Sequence, residues 1–471
     1  MEPPMPYSSR ALRIVLVAII ALGALACDPP HFAWPERIPD LPTVDATGPT
    51  PLDHWIKARR AEPHPTLVAG AAIADLTPPD PQGTYIAGYM PNKKAKGVHT
   101  PITGRVLLLD DGRETLVVVT LDFVGFMNDR VWDVRYAASR EHPEAILVAS
   151  THTHAGPDTL GLWGSWAFYA IPVQSGIDEN YMALVRRRLA EAIWRAAAGA
   201  RPAALYAAAA TVPEGVSENA HRVGWKDNEL TVLQARDAAS GVPIGTLVNY
   251  ACHGEFLGQN NDELSADFPA FVYAELEKRE GGVALFANGA LGGLIVPALP
   301  RRTENYVRLR KAGAERAGRF LAALASRSLA NAERLDASAI RIQRKVLALP
   351  MENELFQYLG EKGYLTRAVR DGRLFTEMWR VDIGAFGLVT APGELFPSLG
   401  FAFKAAMPAR YKMVMGLAND ELGYIMTDEE WDEYLYEYER TVSVGRPTGP
   451  ALLETLKALY PEAAKQAATE P

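Results

Sequence analysis

The sequence predicts an α/β protein, with one large domain in which mixed β-sheets are flanked by helices. Short apolar segments alternate with longer amphipathic segments through residues 65–445, which is the pattern of an α/β domain. No linker-like stretch and no short repeat period interrupts this region. The chain has 471 residues, of which 48% are hydrophobic and 22% are charged, so it is long enough and apolar enough to bury a sizeable core.

Charge and cysteine content narrow the classes of protein to which the chain can belong. The formal net charge is -8 and no long run of lysine and arginine occurs, so nucleic acid is not expected as a partner. The only cysteines are Cys27 and Cys252, which excludes a disulfide framework. No protein partner is predicted.

Residues 1–26 are typical of an export signal. Arg10 and Arg13 precede an apolar run, 14–26, that is shorter than the roughly 20 residues needed to span a bilayer. The run ends in small residues directly before Cys27, which would become the first residue after cleavage. We therefore expect an exported protein. It would be a periplasmic or cell-envelope lipoprotein, associated with the membrane through a lipid anchor on Cys27, or simply secreted. An uncleaved N-terminal anchor is the remaining alternative.

The mature chain divides into three parts by composition. Residues 27–64 are rich in Pro, Asp and His and are predicted to form an irregular tether or arm. Residues 65–445 are the predicted domain, and residues 446–471 are predicted to be a helical tail.

Within the domain, the elements follow from apolar periodicity and turn signals. Strands are expected at 67–74, 105–109, 115–121, 145–150, 230–235, 244–251, 283–286, 381–390 and 412–415. Helices are expected at 129–142, 179–197, 268–279 and 305–331. The first hairpin is marked by the turn Asp110-Asp111-Gly112 between two apolar runs.

Polar residues stand directly after several of these strands, namely Thr151–His154, His253, Asn288 and Glu394. Functional sites in α/β sheets gather at the carboxyl ends of strands. His152 and His154 are two residues apart, so an extended backbone places both imidazoles on the same side. This pattern favours a metal site or an acid/base site. The alternative is a pair of loop histidines bonded to the backbone.

Other candidate residues have structural explanations when each is taken alone. His253 and Cys252 are adjacent and face opposite ways in a strand, and we choose His253 as the residue that faces the site. His253 alone would more often be a core or loop histidine. Glu394 follows Pro392-Gly393 and could be a carboxylate at a helix N-terminus, and Tyr424 could be a core aromatic.

Several catalytic motifs are absent from the sequence. There is no GxSxG, SxxK, GxGxxG, GxxxxGK[ST] or HExxH, which disfavours ordinary serine hydrolases, dinucleotide enzymes and thermolysin-like proteases. HxHxDH is also absent, because Asp158 follows His154 by four residues rather than two. A binuclear site of the metallo-β-lactamase type is therefore disfavoured.

Five segments, taken in order, resemble the neutral/alkaline non-lysosomal ceramidase family. They are AGAAIADLTP at 69–78, THTHAGP at 151–157, ACH at 251–253, PGE at 392–394 and GYIMT at 423–427. THTHAGP is close to the family's THTHSGP motif, which is quite specific. The resemblance runs from about residue 68 to about 440. It implies the N-terminal catalytic domain of the family, without the C-terminal immunoglobulin-like domain.

The resemblance implies a zinc site at the carboxyl ends of strands. Its implied ligands are His152, His253, Glu394 and Tyr424. His154 would lie beside the reacting carbonyl, Arg222 would face the substrate, and Tyr436 resembles a further active-site tyrosine. The implied reaction is hydrolysis of an amide bond in an N-acyl lipid or related N-acyl compound, with a zinc-bound water as the nucleophile.

Two departures from the family pattern concern the substrate. Ile295 occupies the position of a family serine in the glycine-rich loop, and only Arg222 remains of the family's NRSP motif. Ceramide is therefore expected to be a poor substrate, and Ile295→Ser is expected to improve its hydrolysis. One alternative is a non-catalytic surface lipoprotein that binds lipid or glycan on this fold. Another is a binuclear phosphoesterase, for which Asp122 and Asp267 are the additional candidate ligands.

Overall fold

The protein is an α/β fold in which two mixed sheets stack face to face and helices cover the outer face of each. The computed structural model describes residues 48–299, 307–337, 339–365, 367 and 369–462. The predicted signal segment, Cys27, the arm up to residue 47 and residues 463–471 of the predicted tail lie outside the described residues. None of the helices in these described ranges is long and apolar enough to cross a bilayer.

The first sheet has nine strands within the described ranges, in the spatial order β8-β7-β6-β5-β1-β2-β3-β4, with β9 added beside β5. The strands are β1 (Val68–Asp75), β2 (Thr103–Asp110), β3 (Thr115–Leu121), β4 (Ile146–Ser150), β5 (Arg201–Thr211), β6 (Glu229–Asp237), β7 (Pro243–Tyr250), β8 (Val283–Asn288) and β9 (Glu333–Arg334). The pairs β3–β4 and β7–β8 are parallel, and the other pairs are antiparallel.

The second sheet follows in sequence and has the order β10-β12-β13-β14, with β11 beside β12. Its strands are β10 (Ile340–Pro350), β11 (Val369–Arg370), β12 (Arg373–Ile383), β13 (Phe386–Thr390) and β14 (Tyr411–Met415). Only β13 and β14 run parallel among these strands. The single strand predicted at 381–390 is divided at Gly384, whose φ of 56° is one that glycine adopts without steric cost.

Helices fill both outer layers. They are α1 (Pro51–Arg60), α2 (Asn128–Ala138), α3 (Glu179–Ala198), α4 (Phe268–Glu280), α5 (Val307–Leu329), α6 (Glu354–Glu361), α7 (Pro397–Ala406), α8 (Asp428–Asp432), α9 (Glu437–Thr441) and α10 (Thr448–Leu459). The amphipathic pattern predicted for 179–197 is confirmed, because α3 buries Tyr181, Val185, Leu189 and Ile193 along one face.

Alternate side chains of the strands pack into two different cores, one between the sheets and one beneath the helices. In β3, Leu116 and Val118 pack between the sheets, whereas Val117 and Val119 pack beneath the helices. Successive side chains of a strand point to opposite faces, so a strand buried on both faces reads as a continuous apolar run. The run at 115–121 therefore indicated a fully buried strand.

The two ends of the first sheet approach each other. Strand β8, at one end of the order, lies against β2, β3 and β4 near the other end. Each parallel pair, β3–β4, β7–β8 and β13–β14, is joined through a helix on an outer face. The carboxyl ends of these strands consequently meet at one edge of the molecule, which is where the candidate site lies.

Part of the predicted irregular arm is a packed helix. In α1, the Thr50 hydroxyl accepts from the Asp53 backbone N–H while the Asp53 carboxylate accepts from that of Thr50, which forms a capping box. Leu52 and Ile56 are buried against the first sheet's helices. The prediction of irregular structure was wrong for residues 51–60, because only two of the buried side chains in this short helix are apolar, which leaves too weak a periodic signal.

The first part of the predicted tail also belongs to the domain. Helix α10 buries Leu452, Leu456 and Leu459 in the outer core of the second sheet. Helical structure was expected here, but a separate tail beginning at 446 was not correct for residues 448–459. The spacing of these leucines is that of an amphipathic helix facing a core.

Candidate metal centre and active site

His152 is held by backbone contacts just beyond the end of β4. Its N–H donates to the carbonyl of Phe123 at 2.9 Å, and its Nδ1 lies 2.6 Å from the carbonyl oxygen of Val124. Its φ is 62°, which is uncommon for a residue with a β-carbon. Strained backbone of this kind is concentrated at functional sites, and here it turns a buried imidazole towards the site.

His253 is held in the same manner beyond the end of β7. Its backbone N–H donates to the carbonyl of Ile295 at 2.8 Å, and its Nδ1 lies 3.0 Å from that same oxygen. The imidazole is buried, and its ring centroid lies 4.8 Å from that of His152. The two histidines therefore present their Nε2 atoms to a common space.

Glu394 enters this space from the second sheet. It begins a two-residue strand, Glu394–Leu395, that pairs in parallel with Tyr424–Ile425 and places Glu394 beside Tyr424. Its Oε2 lies 3.1 Å from Nε2 of His253 and 3.4 Å from Nε2 of His152. Burial alone would raise the pKa of Glu394, but His152 and His253, when their rings are protonated, hold that pKa well below its usual range.

Asn288, at the end of β8, ties the two histidine loops together. Its Nδ2 donates to the carbonyl of Thr151 at 2.8 Å and to the carbonyl of Cys252 at 2.9 Å. Its Oδ1 accepts from the backbone N–H of Cys252 at 2.9 Å. Thr151 and Cys252 directly precede the two histidines, so one buried amide fixes the spacing of both imidazoles.

The donor set fits a divalent metal ion. Because carbonyl oxygens only accept, the Nδ1 atoms of His152 and His253 carry the hydrogens, and in the neutral rings both Nε2 atoms are unprotonated. These two nitrogens converge with a carboxylate oxygen of Glu394, so three acceptors face one another. A cation satisfies all three, and imidazole with carboxylate is a donor set that zinc takes. The bonds from Nδ1 to backbone carbonyls are those that orient histidine ligands in metal sites.

His154 lies beside these groups and completes a buried cluster. Its Nε2 is 3.2 Å from Nε2 of His152, and the ligand atoms of His152, His154 and His253 all lie within 4.8 Å of one another. Burial, followed by the two neighbouring imidazoles, lowers the pKa of His154 well below its usual value. A neutral His154 can either bind a metal or contact a substrate.

The backbone of Gly88 and the ring of Tyr89 pack against His154. The Tyr89 ring is 5.2 Å from the imidazole, and a β-carbon on Gly88 would lie 2.5 Å from that of His154. Tyr89 also donates to the Glu255 carboxylate at 3.1 Å, and that carboxylate lies 3.8 Å from Nδ1 of His154. The sequence analysis missed this group, although Glu255 follows His253 by two residues.

Tyr424 pairs with Glu394, and Tyr436 shares an apolar cluster with Tyr424. Burial, and then the charge of Glu394, raises the pKa of Tyr424 well above its usual value. The ring of Phe396 packs against both tyrosines. Tyr436 is itself buried, and burial raises its pKa to about 12. The roles of both tyrosines stay predictions.

Arg222 covers the outer side of Tyr436. Its guanidinium lies 5.6 Å from the ring centroid and forms an ion pair with Glu433, while its side chain is partly exposed. The adjacent His221 is buried, with Nε2 2.6 Å from the Glu439 carboxylate. The guanidinium of Arg222 is thus engaged with Tyr436 and Glu433 within the protein.

Asp122 and Asp267, the additional ligands proposed for a binuclear centre, form hydrogen bonds to other groups. Asp122 accepts from the backbone and hydroxyl of Thr103 and from the Tyr273 hydroxyl. Asp267 accepts from the backbone of Leu257 and Phe268 at the start of α4. Neither aspartate joins the metal-binding group found among the described residues, so the binuclear interpretation has no structural support.

Ile295 packs into the apolar interior next to the histidine loop. Its side chain is fully buried in an apolar cluster with Ala251, Leu291 and Leu417. Its carbonyl, rather than its side chain, contacts the site through His253. Leu294, the residue before it, packs against the cluster that contains Tyr424 and Tyr436.

Comparison with known proteins gives consistent results at two levels. The family described as "Neutral/alkaline non-lysosomal ceramidase, N-terminal" matches residues 67–332. The fold is similar to the crystal structure of neutral ceramidase from Pseudomonas aeruginosa, with a TM-score of 0.64, 19% identity, and coverage of 83% of this chain and 75% of that one. It is also similar to a structure titled as a ceramidase complexed with C2, with a TM-score of 0.67, 18% identity, and coverage of 86% and 76%.

Proposed function

Because the chain belongs to the neutral/alkaline non-lysosomal ceramidase family, we propose that it is a zinc-dependent hydrolase of an amide bond in an N-acyl lipid or a related N-acyl compound. The family and the fold support a ceramidase-like hydrolase. The zinc ion, the water nucleophile and the class of substrate are the parts that we add. The convergence of two backbone-bonded imidazoles on the buried carboxylate of Glu394 supports the zinc ion and its water, and the family supports the class of substrate.

In this proposal His152, His253, Glu394 and Tyr424 hold the metal. When bound there, zinc would supply a water with a pKa near ~7 and would polarise a carbonyl oxygen. Burial and the charge of Glu394 raise the pKa of the Tyr424 hydroxyl. A nearby divalent charge would offset the two effects that raise it, burial and the charge of Glu394.

His154 is assigned to the substrate. Its backbone is fixed by a hydrogen bond to the Gly254 carbonyl at 2.8 Å, and its ring is held between Tyr89 and the two other histidines. A neutral imidazole with a hydrogen on Nε2 donates to the oxygen on which charge develops as the amide carbonyl becomes tetrahedral. His154 would also take up the proton that the attacking water loses and pass it to the departing amine, so that the amine leaves as a neutral molecule and the imidazole is neutral before and after the step.

The proposal is tested by metal analysis and turnover of three histidine variants. His152→Ala and His253→Ala should each remove the bound zinc and abolish hydrolysis of fluorogenic N-acyl amides. His154→Ala should retain zinc while turnover falls by on the order of 10²-fold, as is typical for the loss of an oxyanion donor. His142→Ala is the matched control, because the His142 side chain is partly exposed and lies outside the site.

Two outcomes would contradict the proposal. Equal loss of zinc from all three histidine variants would show that His154 is a ligand and that the division of roles is wrong. A wild-type protein that binds stoichiometric zinc yet turns over no amide and no ester would favour the non-catalytic interpretation.

A further inference from the structure

A short hairpin exposes aromatic side chains at its turn. Strands Ser165–Ala167 and Ile171–Gln174 pair antiparallel, and the turn between them carries Phe168 and Tyr169. Phe168 is 91% exposed, Tyr169 is 63% exposed, and Val173 on the second strand is 50% exposed. Single exposed apolar residues are normal on soluble proteins, but several at one tip mark an interaction surface.

The hairpin lies in an uncharged stretch of the sequence. Residues 159–177 contain no Asp, Glu, Lys or Arg, although 22% of the whole chain is charged. The stretch also contributes Trp163 and Trp166, which are partly buried at the base of the hairpin. Exposed strands of soluble proteins usually carry charges that prevent association, and this hairpin has none.

The turn itself does not explain the two aromatic residues. Phe168 and Tyr169 have φ values of 53° and 55°, in the left-handed region. Hairpin turns of this shape favour Asn and Gly, which adopt the conformation at lower cost than a bulky residue. The side chains are thus held outward at a position where folding alone would favour smaller residues.

Basic side chains lie next to the hairpin. Asn92 accepts from the backbone N–H of Trp166 at 2.6 Å and donates to its carbonyl at 2.9 Å, and this links the hairpin to residues 89–98. That segment contains three lysines at 93, 94 and 96 and no acidic residue. Lys94 and Lys96 are exposed, and Lys96 forms an ion pair with Asp262. An aromatic tip flanked by lysines complements an anionic lipid surface, where rings lie at headgroup depth and ammonium groups meet phosphate.

The hairpin is also continuous with the candidate active site. The Trp163 indole donates to the carbonyl of Tyr89 at 3.2 Å, and the Tyr89 ring packs on His154. We propose that the hairpin Ser165–Gln174 docks the protein on an anionic lipid surface by inserting Phe168 and Tyr169 among the headgroups. The docking deepens the proposed function, because a lipid substrate would then be taken from that surface. The idea that docking serves catalysis rests on the proposed function, whereas the binding of the hairpin to lipid does not.

The first experiment reads the environment of the tip without using turnover. The full chain carries Cys27→Ser and Tyr169→Cys, so that the labelled thiol is distinct from the buried Cys252. The fluorescence emission of an NBD label at position 169 should shift to shorter wavelength when vesicles of phosphatidylcholine and phosphatidylglycerol are added. The shift should be smaller with vesicles of phosphatidylcholine alone. The control is Val346→Cys, 72% exposed on β10 of the other sheet, where no shift is expected. An equal response at 346, or none at 169, would overturn the proposal.

The second experiment removes the tip. Phe168→Ser with Tyr169→Ser should weaken partition onto the mixed vesicles by about tenfold, because two aromatic contacts with the lipid are lost. Hydrolysis of an N-acyl amide presented in vesicles should fall in proportion, and hydrolysis of a water-soluble short-chain amide should not change. Loss of a dimer in the double variant, with unchanged vesicle binding, would assign the tip to a second copy of the chain and would refute lipid docking. If no substrate is turned over in any form, the proposed function fails while the fluorescence result still decides the docking.

Discussion

The carbonyl oxygen of Ile295 accepts two hydrogen bonds from His253, one from the backbone N–H at 2.8 Å and one from Nδ1 at 3.0 Å. The position singled out for its side chain thus contacts the site through its backbone. The side chain packs with Ala251, Leu291 and Leu417 below the histidine loop.

Replacing Ile295 should therefore act first on stability. Ile295→Ser should lower the free energy of unfolding by about 2–4 kcal/mol, because it removes apolar contacts and buries a hydroxyl without a partner. Ile295→Val, the matched control, should cost about 1 kcal/mol. Urea unfolding measures both. A serine variant as stable as wild type and faster on a fluorescent ceramide would restore the sequence-based expectation that this side chain faces the substrate.

Asn288 is expected to determine the affinity for the metal although it is not a ligand. Asn288→Ala removes three hydrogen bonds that hold the backbone preceding His152 and His253. Zinc affinity measured by competition with a chelator should fall by roughly 10–100-fold. Asn249→Ala is the control, since Asn249 is also buried and donates to the Ala287 carbonyl but does not contact either loop. Equal losses in the two variants would show a general effect on folding.

Gly88 is expected to be required for the placement of His154. Its φ is 111°, and a β-carbon there would meet the His154 side chain at 2.5 Å. Gly88→Ala should lower kcat by about tenfold or more, in line with the effect of small misplacements on catalysis, while zinc content is retained. Gly215→Ala shares a positive φ, at 98°, but has open space around the new carbon, so it controls for backbone strain alone. Similar kcat values for the two variants would rule out a role for Gly88 in positioning.

Helix α1 should contribute stability that depends on pH through Asp53. Burial tends to raise the pKa of this carboxyl, but bonds from Ser139, Thr50, Arg140 and Glu141 lower it to about 2, against 3.8 in an unfolded chain. Since the folded pKa is depressed, the contribution is present above about pH 4 and is lost as the pH falls towards 2.

Asp53→Asn should consequently destabilise the protein at neutral pH by about 2 kcal/mol, with the difference from wild type shrinking between pH 4 and pH 2. Thermal unfolding at several pH values tests this. A constant difference across that range would mean that the loss comes from packing and not from ionisation.

We propose from the sequence that the protein is exported, and the mass of the mature protein tests this. The mature protein should begin at or just after Cys27 and should be found outside the cytoplasm. Intact-mass analysis of envelope and culture fractions measures this, and a lipid on Cys27 would add a diagnostic mass increment. Recovery of a cytosolic species that retains Met1 would refute the proposal.

The sequence by itself determined the local features of the protein. Helix α3 and strand β3 follow from apolar periodicity, and Thr151–His154 is marked as a site by its position after a buried strand. These features depend on residues that are close in sequence. Over that range, the spacing of apolar side chains indicates whether the backbone is helical or extended. Helix α1 was missed because its two buried apolar side chains, Leu52 and Ile56, are too few to give a periodic signal.

Only the tertiary structure decided which local features meet. His152, His253 and Glu394 come from segments more than a hundred residues apart in the chain, and they converge because the first sheet brings β8 back against β2–β4 while the second sheet stacks on it. Asn288 acquires its role only in that arrangement, and only the structure shows that the Ile295 side chain packs in an apolar cluster while its carbonyl contacts His253. Sheet pairing and stacking arise from contacts distant in sequence, so no local pattern encodes them.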